Sequence, residues 1–105
     1  MSNTCKYFII VQIPVCGGIL LNSAMTHCVL VRGSGTSWSF PRGKVNENEG
    51  RLECAIREVF EEVGYAMQCA EDDFLAKQLD DKSVTLYIAP NVPDQTAFVT
   101  HTIHV

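Results

Sequence analysis

Between residues 49 and 64 the apolar positions recur with the period of a helix. Leu52, Ala55, Ile56, Val59 and Val63 fall at i, i+3, i+4, i+7 and i+11 and form one stripe. This predicts an amphipathic helix beginning near Glu49, with Asn46 and Glu49 as a capping pair and Gly64 as a left-handed C-terminal cap. Elsewhere the period is that of strands. Residues 6–22 (KYFIIVQIPVCGGILLN) are rich in β-branched side chains and predict one or two strands with a bulge or bend at Gly17 and Gly18. A second strand is expected over 27–32, a flexible loop at Gly33-Ser34-Gly35, and an extended approach through Trp38, Phe40 and Pro41 to Gly43. Downstream, 74–79 and 83–89 predict a hairpin turning at Asp80-Asp81-Lys82, and 97–105 a further extended run. With no linker, repeat or low-complexity tract, strands, one helix and more strands predict a single α/β (α+β) domain over 1–105 with a mixed sheet.

Composition narrows the class. A chain of 105 residues, 47% hydrophobic, is long enough to form a core without disulfides or a structural metal. The five cysteines (Cys5, Cys16, Cys28, Cys54, Cys69) are odd in number and contain no C-x-x-C pair, which fits reduced thiols in the cytoplasm. The opening MSNTCKYFII has neither a convincing signal peptide nor a membrane-spanning run, so a soluble, non-secreted protein without a membrane partner is expected. The net charge of −4 argues against nucleic acid only until its source is located. Setting Glu58, Glu61 and Glu62 aside leaves nine acids against eight bases, and Arg32, Arg42, Lys44 and Arg51 precede or open the acidic helix, where they could face phosphates.

Those three glutamates lie within roughly a 100° arc of the helix, opposite the apolar stripe. Like charges at such spacings weaken a helix by about 0.2–0.5 kcal/mol each. At a partly buried site with an effective dielectric near 20, two carboxylates about 6 Å apart repel by roughly 3 kcal/mol. A cation reverses that sign. Taken alone, E-x-x-E-E describes a solvated helix face, so the flanking residues must decide. Trp38 and Phe40 fit either ordinary core or the aromatic edge of a base-binding pocket. His27, His101 and His104 lack ligand-like spacing and read as structural or exposed, and Cys54 as a small core or surface residue.

The segment 43–65, GKVNENEGRLECAIREVFEEVGY, resembles the Nudix box, G-x5-E-x7-R-E-U-x-E-E-x-G-U with U apolar. Gly43, Glu49, Arg57, Glu58, Val59, Glu61, Glu62, Gly64 and Tyr65 fill it at every spacing. The resemblance implies a Nudix fold, a mixed sheet with the box's loop-helix-loop packed on it, and hydrolysis of a nucleoside diphosphate linkage with Mg²⁺ or Mn²⁺. It assigns Glu58, Glu61 and Glu62 as catalytic metal ligands, adds the Gly43 carbonyl, and gives Arg57 a supporting role orienting Glu49 or Glu58. The general base is either a box glutamate or a carboxylate on a later loop.

The flanks IPVCGGILLN, CVLVRG, WSFPRGK and CAIREVFEEVGY look like the catalytic domain of the eukaryotic mRNA-decapping enzymes, and the likeness covers nearly the whole chain from about Lys6. It implies cap hydrolysis to 7-methylguanosine diphosphate and 5′-monophosphate RNA, with Arg42, Lys44 and Trp38 at the substrate. Capped RNA is the implied partner. In that family a helical domain that contacts an activator protein precedes the Nudix domain, and a last strand and basic C-terminal helix follow it. This chain is expected to lack these and to leave a sheet edge unpaired. Two alternatives stand beside cap hydrolysis. One is cleavage of small dinucleotides, since the diadenosine tetraphosphate hydrolases also carry W-x-x-P-[KR]-G, although with histidine where Lys44 stands. The other is a catalytically weak module that binds RNA or a protein.

Overall fold

The computed structural model describes residues 12–32, 37–98 and 102–104, the last of these by backbone alone. Its elements in order are β1 (Ile13–Leu20), β2 (Val29–Arg32), β3 (Trp38–Ser39), β4 (Arg42–Lys44), α1 (Arg51–Val63), β5 (Phe74–Leu79), β6 (Lys82–Ala89) and β7 (Thr102–His104). They build two sheets, one ordered β4-β1-β6-β5 and one ordered β3-β2-β7. The first is mixed as expected: β1 runs parallel to β6, while β4 and β5 are antiparallel to their neighbours. A parallel pair cannot be closed by a short turn, so the chain between β1 and β6 must cross over, and α1 lies on that crossover.

The expected bulge at Gly17 and Gly18 is absent, because β1 and β6 pair residue for residue from Ile13↔Lys82 to Leu20↔Ala89. The glycines serve close approach instead. A β-carbon on Gly18 would meet Met67 Sδ at 2.6 Å and Val59 Cγ2 at 3.0 Å, and one on Gly17 would strike the Pro41 carbonyl and Arg42. The core lies between α1 and the sheet: Cys16 and Leu20 from β1, Cys54, Ala55, Val59 and Val63 from α1, and Tyr87 and Ala89 from β6. Each valine so buried contributes about 1.5 kcal/mol of transfer free energy.

The helix starts at Arg51, later than its apolar period predicts. Asn48 has φ 63°, outside helical geometry, so the helix cannot run back through it. Asn46 and Glu49 do pair, the Asn46 N–H donating to Glu49 Oε1 at 2.9 Å, but they close a turn ahead of the helix. Gly50 is the N-cap, and its N–H donates to Glu53 Oε1 at 2.9 Å. Gly64 caps the other end as expected, with φ 76° and its N–H on the Phe60 carbonyl. The hairpin forms with β6 starting at Lys82, and β2 is shorter than the predicted 27–32, with Cys28 only bridging Leu21. Within 97–105 the strand is Thr102–His104, antiparallel to β2. Residues 6–11, Gly33-Ser34-Gly35, Cys5 and His101 lie outside the described residues. Cys16, Cys28, Cys54 and Cys69 are free thiols.

Candidate functional site

Helical phase carries Arg57, Glu58, Glu61 and Glu62 to the side of α1 that borders β4 and the turn before the helix. Arg57 is the hub. Its Nε donates to Glu49 Oε2 at 2.7 Å and its Nη2 to Glu49 Oε1 at 2.9 Å, a bidentate pair. Nη1 donates to Glu58 at 3.0 Å and to Glu61 at 3.2 Å, while Nη2 also donates to the Lys44 carbonyl at 3.1 Å. One guanidinium thereby joins the turn, the strand and the helix. The Arg57 hydrogen bond first, and the Asn46 N–H next, pull the Glu49 carboxyl down to about 2, and Glu49 in turn holds Arg57 above its ordinary value.

The register Cys16↔Gly43 turns Gly43 toward the helix. A β-carbon there would fall inside the Glu58 carboxyl group, so glycine is what lets that carboxylate lie against β4. Cys54 Sγ–H faces the Gly43 carbonyl at 3.6 Å and lies beside the Cys16 thiol. Burial pushes the Cys54 thiol up to about 12, which keeps it a neutral, weak donor. Glu62 is half-buried. Burial raises its carboxyl most, then the charge of Glu58, while the Arg42 backbone N–H and the Arg42 charge act against them and Glu61 adds to the rise.

Sheet alternation sends the side chains of Arg42 and Lys44 to the face away from the one Gly43 presents. Arg42 nevertheless acts electrostatically on Glu62, whereas Lys44 reaches the cluster through its carbonyl and its residue is exposed. Trp38 lies in the other sheet, 37% exposed, with the Arg32 guanidinium 5.4 Å from its ring centroid. It is a half-open aromatic surface with a cation on it.

Two features had no sequence signal strong enough to find them. One is the contact of Cys54 with Gly43 and Cys16, which depends on the antiparallel register of β1 with β4. The other is the network at Asn22, whose Nδ2 donates to Asp94 at 2.9 Å and whose Oδ1 accepts the N–H groups of Thr26 and His27. His27 is exposed and joins this turn through its backbone N–H; the side chain of His104 is outside the described residues.

The donor set fits a hard divalent cation. Glu58, Glu61 and Glu62 offer only oxygen, and burial together with the charges of Glu58 and Glu61 raises the Glu62 carboxyl, a cost that a cation would offset. Among the described residues no three Asp, Glu, His or Cys side chains converge as a ligand cluster. Arg57 bonds Glu58 and Glu61 directly, and Glu61 is the more open of the two, at 57% side-chain exposure against 16%.

The NUDIX domain model matches residues 12–103. The chain is 38% identical over 95 residues to the mRNA decapping complex subunit 2 of Schizosaccharomyces pombe, covering 87% of this chain and 13% of that protein. It is 39% identical over 90 residues to the mRNA-decapping enzyme subunit 2 of Arabidopsis thaliana, covering 83% of this chain and 24% of that protein. The chain therefore spans a minor part of these relatives. Among solved structures, a Caenorhabditis elegans Ap4A hydrolase superposes with TM-score 0.73 at 21% identity, covering 90% of this chain and 80% of that one. The MutT protein of Methanosarcina mazei Go1 gives 0.68 at 22% identity, with 94% and 78% coverage.

Proposed function

This chain belongs to the Nudix family, and from that membership we propose that it is a metal-dependent pyrophosphohydrolase acting on the 5′ cap of RNA. The products are 7-methylguanosine diphosphate and 5′-monophosphate RNA. The observation that carries the reading is the Arg57 hub, which fixes Glu49, Glu58, Glu61 and the Lys44 carbonyl in one array beside Gly43. One guanidinium that fixes three carboxylates and a carbonyl in a set geometry is an arrangement suited to positioning.

Glu58, Glu61 and Glu62, with the Gly43 carbonyl, are the groups to hold Mg²⁺ or Mn²⁺. When bound, the metal supplies charge neutralisation of the phosphates and a more acidic water. The protein's own part is positional. Arg57 orients Glu58 and Glu61 toward the phosphate side, and Glu49 locks Arg57 in turn. A box glutamate or a carboxylate on a later loop takes the proton from water, while Arg42 offsets phosphate charge. Lys44 and Trp38 border the substrate path, the first as a cation and the second as a stacking surface.

The cap is favoured over dinucleotides because relatives at 38% and 39% identity are decapping subunits, whereas the likeness to the Ap4A hydrolase at 21% concerns the fold. Capped RNA is the proposed partner and the cytoplasm the proposed location, while a decapping activator is a partner that, in the family, docks on the helical domain preceding the Nudix domain; no helix among the described residues is long and apolar enough to cross a membrane.

The test is RNA with a labelled cap, in Mn²⁺, beside free cap dinucleotide and diadenosine tetraphosphate, with a Glu61→Gln/Glu62→Gln blank. Release of 7-methylguanosine diphosphate from RNA, absent in the blank, is expected. Cleavage of the small dinucleotides alone would move the protein to nucleotide turnover, and retention of labelled RNA without any product would make it a binding module.

A further inference from the structure

We propose that the exposed edge strand β5 pairs antiparallel with β5 of a second copy of this chain, about a two-fold axis through Leu75. Among the described residues the strand ends the four-stranded sheet, and all six of its residues are exposed. Phe74, Leu75 and Leu79 are 43%, 58% and 38% exposed, an unusual apolar load for an edge that faces water.

The backbone is oriented for pairing. The Ile88 N–H donates to the Asp73 carbonyl at 2.9 Å, so Asp73 belongs to the inward-bonding set. Antiparallel alternation then turns the N–H and C=O groups of Phe74, Ala76 and Gln78 outward. Phe74 pairs with Tyr87 on the side facing α1, their rings 5.5 Å apart, so Asp73, Leu75, Lys77 and Leu79 share the opposite face.

Charge selects the register and, with it, the partner. Centred on Leu75, the outward groups of Phe74 meet those of Ala76 in the second copy, and the reverse. Leu75 meets its own copy, and Asp73 faces Lys77 twice in close, non-hydrogen-bonded positions. Centred on Ala76, Lys77 would face Leu75 and Asp73 would face Leu79. Centred on Lys77, lysine would face lysine and Asp73 would face Asp81. A lone lysine on an edge strand ordinarily blocks pairing. Here Asp73, four residues earlier on the same face, makes it a register key for self-association.

The experiment is sedimentation equilibrium of the 105-residue chain over a wide concentration range, with Lys77→Asp, Asp73→Lys and the double exchange. Each single change turns two attractive pairs into two repulsive ones and is expected to weaken dimerisation about tenfold; the double exchange is expected to restore it to within about threefold. Amide exchange at Phe74 and Ala76 in the unaltered chain should slow as concentration rises. A chain that stays monomeric at millimolar concentration overturns the proposal. So does a dimer indifferent to the single changes, or one not restored by the double exchange. None of these residues belongs to the proposed site, so failure here would leave cap hydrolysis standing.

Discussion

Gly43 is the residue on which strand and helix meet most tightly. Because a β-carbon there would occupy the space of the Glu58 carboxyl group, Gly43→Ala must displace that carboxylate or open β4 from the helix. A misplacement of about 1 Å in a reacting array can cost 10²-fold, so kcat is expected to fall roughly 100-fold, with the thermal midpoint changed far less. Steady-state hydrolysis beside a thermal melt checks both. Glu49 provides a second residue-scale test. Its folded value of about 2 lies below its ordinary 4.5, so the stability it contributes is complete above that ordinary value and is lost as pH falls toward about 2. Arg57→Ala removes the cause. The difference in thermal midpoint between unaltered chain and variant is therefore expected to be largest near neutrality and to narrow steadily below pH 4.5; a difference constant across that window would sink the account. The fixed spacing of the box made these residues legible in the sequence. Which acid Arg57 chooses was not, because Glu49 and Glu58 compete for it, and the structure shows bonds to both and to Glu61.

At the scale of the element, α1 was read from periodicity and its end from Gly64, but its start was not. A glycine N-cap offers no side-chain oxygen, and the Glu53 bond to the Gly50 N–H competes as a sequence signal with the Asn46 and Glu49 pair just ahead of it. The C-terminal end is the more testable. Gly64 sits at φ 76°, where a side chain costs about 1–2 kcal/mol. Gly64→Ala is expected to destabilise by that amount in a denaturant titration with an unchanged m-value. Strands carried weaker marks. The glycine pair in β1 looked like a bulge because close approach and a kink both call for glycine, and only the unbroken ladder with β6 separates them. Edge and centre were likewise indistinguishable: β5 and β6 are both apolar in composition, yet β6 alternates between buried and half-buried while β5 is exposed throughout.

Across the whole molecule, the fold class followed from element order, but the joining of its parts did not, since it rests on polar contacts distant in sequence. Asn22, buried to 8% exposure just past β1, holds the turn at Thr26 and His27 through its oxygen and the loop after β6 through Asp94. Nothing in the spacing of Asn22 and Asp94 announces that pair. Asn22→Asp changes few atoms but replaces a donor with a second carboxylate facing Asp94. It removes a buried hydrogen bond and adds like-charge repulsion, so a loss of about 2–3 kcal/mol is expected. The loss should shrink in acid, where the introduced carboxyl can take a proton and serve as donor again. Asn22→Ala removes the same bond without the charge, leaves the two backbone N–H groups without their acceptor, and should lose a similar amount at neutral pH with no recovery in acid. Denaturant titrations of both variants at neutral and acidic pH separate the cases. Equal pH response in the two would mean that Asp94 is not the group that Asn22 restrains.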